Sequence, residues 1–279
     1  MMRLAAVLLL GSTSLVAMQP TFSSRVEGVR IDVLVTDGSR RPLRDLTARD
    51  FVIRDNGVVQ AIDVVSFGEL SLNVGLTFDL SDSVAGARHA QLRQASRALT
   101  SSLLPADQLS LITFNQVVSM RCPPATIHGC VDTALADVKP SGETALVDGV
   151  FAGMTIGEWE AGRSLQMVFS DGLDTASFLD SDRVLDMGRR SDVVVYPVVT
   201  KGARPDFLEE LASLTGGRMY EVDRNDELSS TFKDILDEFR FRYLLTYTPR
   251  DVQKGGWHKL EVKVNRSGAR VRARPGYQG

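Results

Sequence analysis

The stretch "FDLSDSV" sets an acid and two hydroxyls on alternate positions, Asp79, Ser81 and Ser83, directly after the apolar run from Leu72 to Phe78. Two later segments carry the same chemistry. Thr144 stands in "PSGETALVDG", at the start of a helical pattern behind a glycine-containing loop, and Asp171 stands in "VFSDGLD", directly after another apolar run. Carboxylate and hydroxyl oxygens are hard ligands. They suit Mg2+, which wants six near-octahedral positions at about 2.0–2.1 Å and keeps some of its waters. Ser81, Ser83 and Thr144 are neutral donors that would leave an ion's charge largely intact, while Asp79 and Asp171 would offset part of it. Each piece alone has a plainer reading, because Asp and Ser are the default residues of turns and helix caps, and Asp171-Gly172 is an ordinary turn.

The elements around these residues say where they sit. From Leu72 onward, strand-like runs alternate with helical patterns: "LNVGLTFDL", "QLSLITFN", a short "VVSMR", "SLQMVFSDG", "DVVVYPVVT" and "RMYEV" are the strands. "GARHAQLRQASRALTSSLL", "TALVDGVFAGM", "SDRVLDMGRRS", "RPDFLEELASLTGG" and "NDELSSTFKDILDEFRFRY" are the helices. Such alternation implies a mostly parallel sheet covered on both faces. In open sheets of this kind ligands bind beyond the carboxyl ends of the strands, where Asp79 and Asp171 fall. Before this block, Val26 to Phe67 reads as strands and hairpins, with Asn56-Gly57 suited to a tight turn of two positive φ angles. After it come "YLLTYTP", "WHKLEVKVN" and "ARVRARPGY". Neither end has enough strands for a core of its own, so the economical arrangement pairs them into one small β-domain with the α/β block inserted between. The divisions expected are 1–20, 21–70 and 240–279 for the leader and the two parts of the β-domain, and 71–239 for the block.

Taken together, Asp79-x-Ser81-x-Ser83, Thr144 in "GETAL" and Asp171 in "SDGLD" resemble the metal-ion-dependent adhesion site of von Willebrand factor type A domains, with all five positions filled. The flanks, "DVLVTDGSRRPLRDLTARDFVIRDNGVVQAIDVVSF" and the strands after Phe239, look like the acidobacterial-type von Willebrand A-related family of exported bacterial proteins. The resemblance implies a doubly wound, Rossmann-like α/β sheet inserted between terminal strands that form a small β-sandwich-like domain. It implies one Mg2+ or Mn2+ held by Asp79, Ser81, Ser83, Thr144 and Asp171, with an Asp or Glu carboxylate of a partner protein completing the coordination. Adjacent regulatory sites of integrin relatives need further acids soon after the second serine. Val84 to Arg88 supplies none, so a single ion is expected.

The remaining features bound the function. With 279 residues, 43% hydrophobic and 24% charged, the chain has the composition of a soluble globular protein. Its formal charge of −3 hides a basic tail: Arg250 to Gly279 holds eight Lys or Arg against two acids. Lys259, Glu261 and Lys263 alternate with Leu260, Val262 and Val264, which reads as a solvated strand face. A nucleic-acid surface would want interleaved aromatics and a basic domain, and neither is present. Met1-Met2-Arg3, the aliphatic stretch Leu4 to Leu10 and the small residues to Ala17 read as a secretory signal, too short for the ~20 residues that span a bilayer. The expectation is a soluble periplasmic or extracellular protein. In that compartment Cys122 and Cys130 favour a disulfide. Free thiols or a zinc site with His128 are the alternatives, though three ligands within nine residues fit no usual zinc spacing.

A metal-dependent hydrolase would reuse Asp79 as nucleophile with Asp171 on Mg2+, but Ser81 stands where a second acid is wanted and no lysine is placed to clamp a phosphate. His89, His128 and His258 lie in three separate segments, so no Ser-His-Asp set forms from the sequence, and no phosphate-cradling glycine loop is present. A structural envelope module with an unused metal site is the other alternative. The reading favoured is an exported, non-enzymatic module for adhesion or scaffolding that binds a protein through a metal. Neither the partner's identity nor the oligomeric state follows.

Overall fold

The computed structural model describes residues 28–279 apart from 69, 160, 161, 201, 203, 204, 225 and 226; the expected signal segment, 1–20, lies outside the described residues. Four strands come first: β1 (Val29–Thr36), β2 (Phe51–Asp55), β3 (Val58–Gln60) and β4 (Ile62–Phe67). The turn between β2 and β3 puts Asn56 at φ 47° and Gly57 at φ 84°, the two positive angles that the Asn-Gly pair predicts.

Next comes the α/β block. Its elements in order are β5 (Leu72–Asp79), α1 (Ala87–Thr100), β6 (Gln108–Phe114), β7 (Val118–Ala125), α2 (Cys130–Asp137), α3 (Leu146–Gly157), β8 (Arg163–Ser170), α4 (Ser181–Arg190), β9 (Val194–Thr200), α5 (Asp206–Thr215), β10 (Tyr220–Val222) and α6 (Leu228–Arg240). The six strands form one sheet in the order β10-β9-β8-β5-β6-β7, parallel except for β7 at the edge. Strands β5 and β8 are buried along their whole length, as near-continuous apolar strands covered on both faces must be. One face packs on α1, α2 and α6 through residues such as Leu92, Val131 and Phe232. The other packs on α3, α4 and α5 through Val150, Val184 and Leu211.

The edge differs from the expectation in two respects. Instead of the short strand "VVSMR", β7 runs on through Pro123 and Pro124, which an edge strand tolerates because one side needs no donors. Helix α2 follows, and Cys130 at its start is joined to Cys122 of β7 by a disulfide. An eight-residue helix carries too few turns to leave a clear period in the sequence.

The chain then returns to strands with β11 (Tyr243–Tyr247), β12 (Trp257–Val264), β13 (Arg270–Arg272) and β14 (Gly276–Gln278). These pair with the first four in two sheets, β13-β1-β11-β4 and β14-β12-β2-β3, so each sheet mixes strands from both ends of the chain. Ile31, Val33, Phe51, Ile53, Tyr243, Leu245 and Leu260 bury against one another between them.

Buried arginines fasten these strands to the block. Arg163, at the start of β8, sits 2.5 Å from the Asp32 carboxylate of β1 and donates to Phe239 O at 3.0 Å. Arg242 has no exposure and donates to Tyr196 OH at 2.6 Å and Gly216 O at 2.7 Å. Breaking one partner of a buried pair strands the other charge, which costs about 3–5 kcal/mol, whereas removing both is far milder. Asp32→Ala should therefore lose stability of that order in urea unfolding. Asp32→Ala with Arg163→Met should recover most of it, and equal losses in the single and double variants would show that the pair does not join the two parts.

Candidate metal centre

Strand β5 ends on Asp79, whose side chain is buried between its neighbours. Its Oδ1 accepts from Ser81 N at 2.9 Å and its Oδ2 from the Ser170 hydroxyl at 2.8 Å. Ser170 is the last residue of β8, and the parallel register that pairs Phe78 with Phe169 brings the two strand ends side by side. Beyond Asp79 the chain makes a short 3-10 turn over Asp82–Val84, closed by Val84 N on Ser81 O. That turn sets the Ser81 and Ser83 hydroxyls 2.9 Å apart, the first buried and the second exposed. Asp79, Ser81 and Ser83 thus form one connected group.

Thr144 comes from the loop before α3. That loop is stitched to the first by Ser141 N on Leu80 O (2.9 Å) and Asp82 N on Gly142 O (3.0 Å). Gly142 has φ 82°, a backbone state that favours glycine, and a Cβ there would run into the Gln116 carboxamide. Helix α3 lies close on the sheet because Gly149 and Gly153 face it: a Cβ on the first would stand 2.5 Å from the Phe114 ring, and one on the second would meet Thr77 Oγ1.

The loop after β8 carries Asp171 and locks Thr144 in place. Thr144 N donates to Thr175 Oγ1 at 3.0 Å, and Thr144 O accepts from Thr175 N and Ala176 N. Thr144 is not the cap of its helix, as its place in the sequence would allow. Asp174 performs that task, with Oδ1 accepting from Leu146 N at 2.8 Å. Asp148 returns the favour by accepting from Phe178 N and Leu179 N, both at 2.9 Å. The Thr144 backbone is therefore saturated while its hydroxyl has no hydrogen bond among the described residues.

The Asp171 carboxylate likewise makes no hydrogen bond among the described residues and is held only by an ion pair. Its nearest cation is Arg88, 3.8 Å away, which also donates to Ser83 O at 2.9 Å. Burial pushes the Asp79 carboxyl above its ordinary value; the bonds from Ser81 and Ser170 pull against that, and the charge of Asp171 adds to the rise. Asp171 is thus within electrostatic reach of the Asp79 group. Thr144 is tied to the same end of the sheet through Gly142 and Thr175. Sequence reasoning missed Ser170, Asp174, Asp148 and Arg88. None of the four carries a local signal, since even Asp174 serves a helix that starts 28 residues earlier in the chain.

Among the described residues no group of three or more His, Cys, Asp or Glu could hold a metal. An ion at this place would be held by hydroxyls together with two carboxylates. All five donors are oxygen, three are neutral, and burial together with the charge of Asp171 raises the cost of ionising Asp79, which an added cation would relieve. A hard divalent ion fits that set.

No family model and no curated protein matches the chain. Solved structures do. A zinc-occupied MIDAS form of proximal thread matrix protein 1 from the mussel byssus aligns with a TM-score of 0.56 at 16% identity, over 68% of this chain and 50% of that one. The α/β block has a von Willebrand A-like fold. An aerotolerance-related membrane protein from Bacteroides fragilis NCTC 9343 aligns with a TM-score of 0.50 at 14% identity, over 61% of this chain and 98% of that one. The D319A mutant of the PilB minor pilin from Streptococcus sanguinis gives 0.51 at 12% identity, over 62% of each. This chain spans half the length of the mussel protein and nearly all of the Bacteroides one.

The raised Asp79 carboxyl has a stability consequence in the metal-free protein. Its contribution is fully present below the ordinary 3.8 and is lost as pH rises through the higher folded value, so at neutral pH the buried charge works against folding. Asp79→Asn should raise the melting temperature in EDTA at pH 7 and leave it unchanged or lower near pH 3. A fall at pH 7 would mean that the Ser81 and Ser170 bonds outweigh burial.

Proposed function

We propose that the chain is an exported, non-enzymatic module for adhesion or scaffolding, which binds a partner protein through a single Mg2+ or Mn2+ at the carboxyl end of the central sheet. In this reading residues 1–20 are the export signal and residues 71–239 the von Willebrand A-like unit. Residues 21–70 and 240–279 make up the β-sandwich-like unit. Asp79, Ser81, Ser83, Thr144 and Asp171 hold the ion. The observation that carries it is the Thr144 hydroxyl, left without a hydrogen bond on a saturated backbone, together with an Asp171 carboxylate held only by a 3.8 Å ion pair to Arg88, at the same end of the sheet as the connected group of Asp79, Ser81 and Ser83. A bound ion supplies a positive centre with an exchangeable position for an Asp or Glu carboxylate of the partner.

The chain's own residues do the rest. Asp79 and Asp171 offset part of the ion's charge, the three neutral hydroxyls leave the remainder facing outward, and Ser170 and Ser81 N keep the Asp79 carboxylate from turning. Binding without bond cleavage agrees with the matrix and pilin proteins that share the fold. A second reading, a structural module whose metal site is unused, is favoured by Arg88, because its guanidinium already gives Asp171 a counter-charge.

Calorimetry separates the two. Mg2+ or Mn2+ should bind with a stoichiometry of one and stabilise the fold by mass action, by about 2.7 kcal/mol at a hundredfold excess over Kd. Asp79→Ala should abolish binding and Thr144→Ala should weaken it without lowering stability in EDTA. Absence of any divalent-ion binding to the wild type would leave the unused-site reading.

A further inference from the structure

A second site is built where the strands of both chain ends meet the end of α4. A cleft of about 890 Å3 opens there, within the range of roughly 300–1,000 Å3 typical of small-molecule sites, and none of the five candidate metal ligands lines it.

Its floor holds His258, 3% exposed. Nδ1 of that ring lies 2.9 Å from Asp55 Oδ1, and Asp55 has no exposure and also accepts from Tyr247 OH at 2.8 Å and Tyr277 OH at 2.9 Å. A carboxylate only accepts, so Nδ1 carries a proton. The Tyr277 ring stacks on the imidazole with centroids 4.6 Å apart. The ring is thereby held in position and tautomer, yet Nε2 makes no hydrogen bond among the described residues. Gly279 lies directly against that nitrogen: a Cβ there would stand 2.9 Å from it, so any side chain would press on it. Nε2 is not among the fully buried atoms left without a partner, so this oriented imidazole keeps one free nitrogen that solvent or a ligand in the cleft can reach.

The walls say what kind. Arg274, 7% exposed, is fixed by Gly276 O at 2.8 Å, Arg189 O at 3.0 Å and Asp192 at 3.2 Å. Arg30 is half-buried and anchored on Gly162 O. Arg190 and Lys254 are exposed at the rim and have no ion-pair partner among the described residues. Against these four cations stand two acids, Asp192, which Arg274 engages, and Asp251. The solvated strand face expected from the basic tail accounts for Lys259 and Lys263 but not for a buried Arg274.

We propose that this cleft binds a small multiply charged oxyanion, a di- or tricarboxylate or a phosphate, with Arg190 and Lys254 drawing it in and His258 Nε2 and Arg274 meeting it at the floor. The chain has only three histidines, so their ring signals can be followed individually by NMR on 15N-histidine-labelled protein. Citrate and inorganic phosphate are titrated in turn into the whole chain, with the His258→Gln spectrum fixing the assignment. The expected result is a saturable shift of the His258 ring, with His89 and His128 unmoved and Kd below about 1 mM for at least one anion. Saturation by citrate alone identifies a carboxylate site and by phosphate alone a phosphate site. Arg190→Ala with Lys254→Ala, both exposed and harmless to the core, should weaken that Kd by about tenfold or more. No saturable His258 shift with either anion, or an unchanged Kd in the double variant, overturns the proposal.

Discussion

A carboxylate buried at the end of a central strand is costly unless its surroundings answer for it, and Asp79 sets that demand on this molecule. Both its oxygens need donors, and the donors come from different elements: Ser81 N from the turn that follows it and the Ser170 hydroxyl from the end of the neighbouring strand. That second bond requires β5 and β8 to run parallel in one particular register, since a slip of one residue would turn Ser170 to the opposite face. Thr144 then depends on the same strand end, through Thr175 and Asp174 in the loop that Ser170 begins. A cation at this place would relieve the burial cost that the fold otherwise bears.

Strand β8 carries this constraint through the molecule. Arg163 at its beginning is bound to Asp32 of the terminal strands, and Ser170 at its end is bound to Asp79. Arg242 adds a second fixed point beneath β9, through Tyr196 and Glu238. The strands from the chain ends therefore occupy the amino-terminal edge of the parallel sheet and leave its carboxyl edge to the loops. The same junction that fixes the two parts to each other also forms the walls of the cleft around His258 and Arg274.

What could be read in the sequence was what local spacing encodes. Buried parallel strands are continuous apolar runs, and helices repeat at 3.6, so the alternation from Leu72 to Phe239 was visible, as was the Asn56-Gly57 turn. The acid and hydroxyl positions were visible because three of them sit on alternate residues and the others follow recognisable strand and helix patterns. What escaped depends on contacts between distant residues. Asp174 caps a helix 28 residues earlier in the chain, Asp55 holds a histidine 203 residues away, and Arg163 meets Asp32 across 131. No local pattern distinguishes such side chains from surface ones. Thr144 is the instructive case, since its place before a helix predicts a cap, and only the remote Asp174 frees its hydroxyl for something else.

The central claim is that the oxygens gathered around Asp79 hold one divalent ion. Crystals grown with Mn2+ and measured for anomalous scattering test it most directly. The account predicts a single strong peak among the Ser81, Ser83 and Thr144 hydroxyls, lost in crystals of Asp79→Ala. A map with no peak at that place, or with manganese bound only at other carboxylates on the surface, would contradict it.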